Sequence, residues 1–281
     1  MDRRALVLLV ALVVWVSPAC KRTTPPTDAG VVDSCAVLFG NPNDATGLDA
    51  TQCQPQCSCH GALFRPPSYS AAFMQSLVDD WQPMTPYAPL TSDPYAAPAP
   101  PDDPDGTVCA VLEGDAAQSP RPYTLVTYPS QAAAGAAGAH VTHFGHCGVC
   151  STLANLAVYM RQNDLTQPVR SCAISNGAST DADAGAGDIA CLQALGFDLP
   201  CAQIWAYNSA HTQKVCLGVC VDNLGASYNQ PDGTLNPCLQ CDEDMSGPVF
   251  KAVAGRTRRN SGLPNAICRP CSQVQPLVHS Y

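Results

Sequence analysis

The densest group of reactive side chains in this chain is the run HVTHFGHCGVCS, which begins at His140. His140, His143, His146, Cys147 and Cys150 fall within eleven residues, in a chain with six histidines and 17 cysteines. Three chemistries compete for it. A Cys-x-x-Cys at the start of a helix favours a thiolate on its first sulfur, because the free N–H groups and the helix dipole stabilise negative charge, so Cys147 and Cys150 read as a redox pair. Two thiolates and two imidazoles also make a tetrahedral soft-metal set, His143, His146, Cys147 and Cys150, suited to zinc or copper. The third reading is structural: both cysteines sit in disulfides and the histidines are packing residues. The same spacing recurs at Cys238/Cys241 and Cys268/Cys271, which makes it a habit of the chain and favours the third reading. No cofactor is expected on it; zinc or copper belongs to the second.

A second polar cluster is GRTRRNSG. Arg256, Arg258 and Arg259 present guanidinium forks that match a carboxylate or phosphate. The competing reading is that they neutralise Asp242, Glu243 and Asp244 or complement a helix C-terminus. Asp181, Asp183 and Asp188 have the look of a calcium-loop fragment, but Leu192 stands where the bidentate acid belongs. CSCHG at Cys57 to Gly61 has one residue too few between its cysteines for haem attachment.

These groups need elements to hold them. SYSAAFMQSLVDDW reads as a helix capped by Ser68 or Ser70, with Phe73, Leu77 and Trp81 on one face. YTLVTY from Tyr123, an Ala-rich helix capped by Ser130, and HVTHF from His140 read as strand, helix, strand. After the Cys-x-x-Cys, Leu153, Leu156, Ala157 and Met160 mark the apolar face of a helix. DIACLQALG ends at Gly196 and Pro200 restarts a helix through CAQIWAYN. TQKVCLGVCV places Cys216 and Cys220 on one helix face, each set to bridge a neighbouring element. A last helix starts near Pro248.

The expected fold is therefore α+β, mainly α, disulfide-rich, with a small β element near residues 120–145. The organisation expected is 1–19 signal peptide, 20–34 tether (lipid-anchored, on the lipoprotein resemblance given below), 35–81 small Cys-rich segment, 82–106 Pro-rich linker and 107–281 Cys-rich, mainly helical domain. The leader has Arg3 and Arg4 before the uncharged run Ala5 to Val16, too short for a permanent span and right for an exported leader. Setting Cys20 aside leaves sixteen cysteines, an even number, and so many belong to an oxidising compartment. The leader carries Asp2, Arg3 and Arg4 away, taking the net charge from −9 to about −10. That excludes nucleic acid as a natural partner.

Several resemblances add to this. Ser17-Pro18-Ala19-Cys20 resembles a bacterial lipoprotein signal. That implies lipidation of Cys20, a membrane as partner, and extracytoplasmic anchoring. Lys21 favours the outer membrane, and plain secretion is the alternative. CGVC after strand, helix and strand is similar to the CGPC of the thioredoxin-like family, which implies Cys147 as attacking and Cys150 as resolving thiol. GHCGVCS resembles the nucleophile segment of papain-like proteases, which implies Cys150 as nucleophile and His279 as base. CGVCSTLANLAVYM together with CLQCDED, GPVFK and GRTRRNSGL resembles an uncharacterised family of cysteine-rich secreted proteins over roughly the last 140 residues, with no assigned activity. The function expected is a lipid-anchored extracytoplasmic binding or structural protein of unknown ligand. A thiol–disulfide oxidoreductase at Cys147/Cys150 and a zinc- or copper-binding protein are the alternatives.

Overall fold

The computed structural model describes residues 34–175 and 185–281. Cys20 and the segments assigned as signal peptide and tether up to Asp33 lie outside the described residues, as do Asp181 and Asp183. The described residues form one unit.

The chain opens with short strands β1 (Leu38–Phe39), β2 (Cys53–Gln54), β3 (Cys57–Cys59) and β4 (Ala62–Phe64). Helix α1 (Ala71–Asp79) follows, capped by Ser70, whose side chain accepts the Phe73 N–H. Then come β5 (Trp81–Pro83), β6 (Val108–Glu113) and β7 (Arg121–Tyr128). Helix α2 (Gln131–Ala136) carries the expected Ser130 cap and leads to β8 (His140–Phe144). The rest is mainly helical: α3 (Leu153–Arg161), α4 (Thr166–Ser175), α5 (Ala186–Ala194), α6 (Leu199–Asp222), α7 (Pro237–Met245) and α8 (Gly247–Ala254). The last strand, β9 (Arg269–Pro270), pairs antiparallel with β1, which also pairs parallel with β2. With eight disulfides, this is the α+β, mainly helical, disulfide-rich architecture that the sequence leads one to expect.

The largest sheet has strand order β5-β7-β6-β8. It starts earlier in sequence than residue 120, because β5 and β6 join it. Strand β6 lies between β7 and β8, antiparallel to both. The strand–helix–strand read from Tyr123 to Phe144 therefore does not bring its two strands side by side. Val108, Cys109, Ala110 and Val111 are all fully buried, as expected of a central strand covered on both faces. Between β6 and β8 the register slips: Cys109 faces His143 and Ala110 faces Val141, so Thr142 is the extra residue of a β-bulge.

Helix α3 occupies the centre of the core. Leu153, Leu156 and Ala157 are fully buried, and Leu77, Tyr123, Leu192, Ile204 and Phe250 belong to the same cluster. Helix α6 runs unbroken for 24 residues, where the sequence reading had two pieces. No Pro or Gly interrupts it between Pro200 and Gly218, so the polar stretch NSAHTQK continues the helix. The Pro-rich stretch packs as a strap. Its Tyr95 ring stacks on His211 at 4.3 Å, and the Tyr95 hydroxyl donates to Asn208 Oδ1 at 2.8 Å.

Disulfides join the ends of the chain. Cys53–Cys268 and Cys57–Cys271 close loops of 215 and 214 residues, and Cys35–Cys59 staples the first segment locally. Cys216–Cys241 and Cys220–Cys238 clamp α6 to α7, as the shared face of Cys216 and Cys220 requires. No helix among the described residues is long and apolar enough to cross a membrane.

Candidate functional site

The run from His140 to Ser151 folds as the end of β8, a turn, and the approach to α3. Thr152 caps that helix, accepting the Asn155 N–H. Cys147 is five residues before the cap, so it does not sit on the helix N-terminus. Cys147 is bonded to Cys109 on β6, and Cys150 to Cys201 on α6. The two sulfurs read as a redox pair therefore belong to different bridges, and neither is a free thiolate. The metal set His143, His146, Cys147 and Cys150 is dispersed by the same two bridges, because a sulfur in a disulfide has no anionic lone pair to give a metal.

The histidines are occupied as well. His143 is fully buried; its Nδ1–H donates to the Phe144 carbonyl at 2.9 Å, and its Nε2 accepts the Ser151 hydroxyl at 2.6 Å. Burial, with the Arg256 charge adding to it, holds His143 neutral, well below the usual imidazole range. This is the bonding order of a nucleophile and its base, but His143 and Ser151 are both completely enclosed. His146 meets the Asp103 carboxylate through Nδ1 at 2.8 Å and the Ala252 carbonyl through Nε2 at 2.6 Å. That ties the Pro-rich strap to α8. His279, the base implied by the protease resemblance, is buried with Nε2 on the Ser261 carbonyl at 2.9 Å. Its proposed nucleophile Cys150 is the sulfur bridged to Cys201.

Among the described residues the one close grouping of potential metal ligands is Cys35, Cys59 and His60, whose donor atoms lie within 4.8 Å of one another. Two of those donors are the sulfurs of a single disulfide. Asp188 is buried in the first turn of α5, where burial alone raises it to about 6. Leu192 is in the core.

The three arginines part company. They all lie beyond α8, which Gly255 ends with φ +71°. Arg259 pairs with Glu243 at 2.6 Å, and Arg269 shares the same carboxylate. Arg256 is fully buried and donates to four oxygens: Cys150 O at 3.1 Å, Thr142 O at 2.8 Å, Thr142 Oγ1 at 2.7 Å and Ser151 O at 2.9 Å. No carboxylate takes part. Burial pushes its guanidinium down to about 10, still cationic at neutral pH. Nothing in the spacing of GRTRRNSG separates this residue from its neighbours; the bulge at Thr142 makes its pocket.

Arg258 differs from both. It is 9% exposed, and burial lowers it too to about 10. Its Nη1 donates to Pro264 O at 3.1 Å, and its guanidinium carbon lies 5.7 Å from the centre of the Tyr159 ring. Its Nε and Nη2 are buried with no hydrogen-bond partner. Arg258 lines a partly open cavity of about 480 Å³, together with Arg65, Tyr69, Tyr159, Asn163 and several prolines. The binding residues expected from sequence thus reduce to one with free capacity.

Residues 186–277 match a family described only as a family of unknown function (DUF8771). A family without assigned activity and a chain with eight disulfides agree with the resemblance carried by CLQCDED, GPVFK and GRTRRNSGL; CGVCSTLANLAVYM lies outside the matched span. No curated protein and no solved structure matches the chain.

Proposed function

We propose that this chain is an exported, disulfide-stapled binding protein held to a membrane surface by lipid on Cys20. It is a disulfide-rich protein of an oxidising, extracytoplasmic setting. The observation that carries the anchoring is cysteine parity. Sixteen described cysteines pair into eight bridges, and 17 are present, so Cys20 has no partner within the chain. A secreted protein does not usually carry an odd reactive thiol, whereas a lipid anchor consumes one. The binding role is supported by the Arg258 cavity, which supplies donors with no structural duty.

Mass analysis of the mature N-terminal peptide after export in a bacterial host tests this reading. We expect acylated Cys20 as the first residue and no other free thiol in the native protein. An unmodified Cys20, or cleavage elsewhere, overturns the anchoring.

A further inference from the structure

Arg258 has its charge screened from water and two donors unspent. Nε and Nη2 lie on the same edge of a guanidinium, and together they form the fork that matches the two oxygens of a carboxylate. Both are buried without a partner, while the third nitrogen is fixed by Pro264 O. A buried donor left unmade costs free energy, and buried polar groups are normally satisfied. Orphaning both donors of one edge is therefore the signature of a fork held ready for an acceptor that binds.

The surroundings set the chemical class of that acceptor. The cavity of about 480 Å³ has a second cation, Arg65, in its lining and no acidic residue, in a chain whose net charge is −9. Asp164 is the carboxylate whose field reaches Arg258, and its oxygen is engaged elsewhere, accepting from Tyr228 at 2.7 Å and Asn43 at 3.2 Å. The lining offers apolar surface from Tyr159, Tyr69, Met160, Leu263 and four prolines, with Asn41, Gln56, Ser68 and Asn163 set among them. Such a space fits a small ligand of ordinary size, with an apolar body held by the walls and one polar group fixing its orientation.

We infer that this cavity binds a small organic carboxylate with an apolar or aromatic body, its carboxylate on the Nε–Nη2 edge of Arg258 and its body against Tyr159, Tyr69 and the prolines. This rests on the binding reading above and names its ligand class. Arg65, exposed in the same lining with its guanidinium donating to Gln56, adds attraction for the anion. The guanidinium carbon lies 5.7 Å from the centre of the Tyr159 ring and Nη1 is held by Pro264 O, so a small turn of the side chain brings the enclosed Nε–Nη2 edge to the acid.

The test is calorimetric titration of the oxidised, purified chain with phenylacetate, phenylacetamide and inorganic phosphate. The unmodified protein should bind the acid about tenfold or more tighter than the isosteric amide, because a charge-assisted fork is lost in the amide. Phosphate, which has no apolar body, should bind more weakly than phenylacetate. Arg258→Gln should abolish the preference for acid, and Arg65→Gln should weaken acid binding by a few-fold with the acid-over-amide order kept. Equal affinity for acid and amide, or no acid binding up to about 10 mM, overturns the proposal. So does undiminished acid binding in an Arg258→Gln protein that retains all eight disulfides. Should Arg258→Gln not fold, the acid-to-amide ratio of the unmodified chain decides alone. The anchoring is read from the mass of the N-terminal peptide, so either conclusion can fail without the other.

Discussion

The guanidinium of Arg256 donates to both oxygens of Thr142, the carbonyl at 2.8 Å and the hydroxyl at 2.7 Å. The two groups can meet because Thr142 is the bulged residue of β8, whose backbone has left the ladder to β6. A bulge re-aims a side chain and frees a carbonyl; here both are spent on one buried cation. Arg256 also collects Cys150 O and Ser151 O, so it pins the strand, the turn and the approach to α3 at one point. Arg256→Met would strand three buried carbonyls, while the Thr142 hydroxyl keeps its bond to Tyr281, and a single orphaned buried group costs about 1–3 kcal/mol. We expect a loss of at least about 3 kcal/mol in urea unfolding, with Arg256→Lys recovering only a minor part because an ammonium lacks the fork. A loss under about 1 kcal/mol for Arg256→Met contradicts the anchoring role.

Peptide mapping without reduction should recover Cys147 linked to Cys109 and Cys150 linked to Cys201. A Cys147–Cys150 link would restore the redox reading instead. Cys53–Cys268 and Cys57–Cys271 close nearly the same loop, 215 and 214 residues. Either bridge alone therefore keeps that loop shut, and the first closure of it is worth about 5 kcal/mol by chain-entropy arguments. Replacing the cysteines of both bridges by alanine should lower stability by more than the summed losses of the two single-bridge variants. Simple additivity would mean that native packing and not loop closure sets their contributions.

The parts of the fold that are legible in the sequence are those decided within a few residues. Ser70 and Ser130 cap their helices because each side chain meets an N–H three positions on. Gly196 ends α5 because φ +108° is open to glycine, and Pro200 sits in the first turn of α6. What the sequence does not reveal is decided across the chain. Every Cys-x-x-Cys looks alike locally, yet Cys147, Cys150, Cys268 and Cys271 bridge to Cys109, Cys201, Cys53 and Cys57. Likewise Arg256, Arg258 and Arg259 are neighbours with three separate fates: a buried hub, an unspent fork and a partner for Glu243. Their spacing marks a cluster of charge; only the tertiary placement of Thr142, Tyr159 and Glu243 assigns each its role.

Acid should destabilise this protein partly through His279. Burial, reinforced by the Arg256 charge, pushes the His279 imidazole down to about 3. The unfolded value is near 6.5, so between about 3 and about 6.5 the unfolded chain binds a proton that the folded chain refuses. This contribution is complete above about pH 6.5 and declines as pH falls below it. Asp188, raised to about 6 by burial, works in the opposite sense over part of that window. Comparison with His279→Gln isolates the histidine, since Gln keeps a donor for Ser261 O and does not titrate. Between pH 7 and pH 4 the unmodified protein should lose more unfolding free energy than the variant, by an amount of order 2–4 kcal/mol. Parallel pH profiles would show that His279 is not held neutral.

The glycine inside CGVC has a duty unrelated to sulfur chemistry. Val149 and Cys150 donate to Val253 O and Ala254 O, each at 2.9 Å, and so satisfy the last carbonyls of α8. That contact brings two backbones together at Gly148. A Cβ there would stand 2.4 Å from Val253 O and 2.6 Å from both Ala254 C and Gly255 N. All three are main-chain atoms, which cannot rotate aside as a side-chain tip can. Gly148→Ala should therefore destabilise by about 2 kcal/mol or more, as other overpacked sites do, and should disturb the Arg256 hub because Cys150 O moves with the turn. Gly218 makes the opposite case. It lies within α6, where an added Cβ meets nothing within 4 Å. Gly218→Ala should stabilise by about 0.5–1 kcal/mol through helix propensity alone. The two substitutions add the same methyl group, so opposite signs in thermal unfolding would locate the constraint in the Gly148–Val253 contact. A harmless Gly148→Ala would show that the turn does not pack on the end of α8 as described.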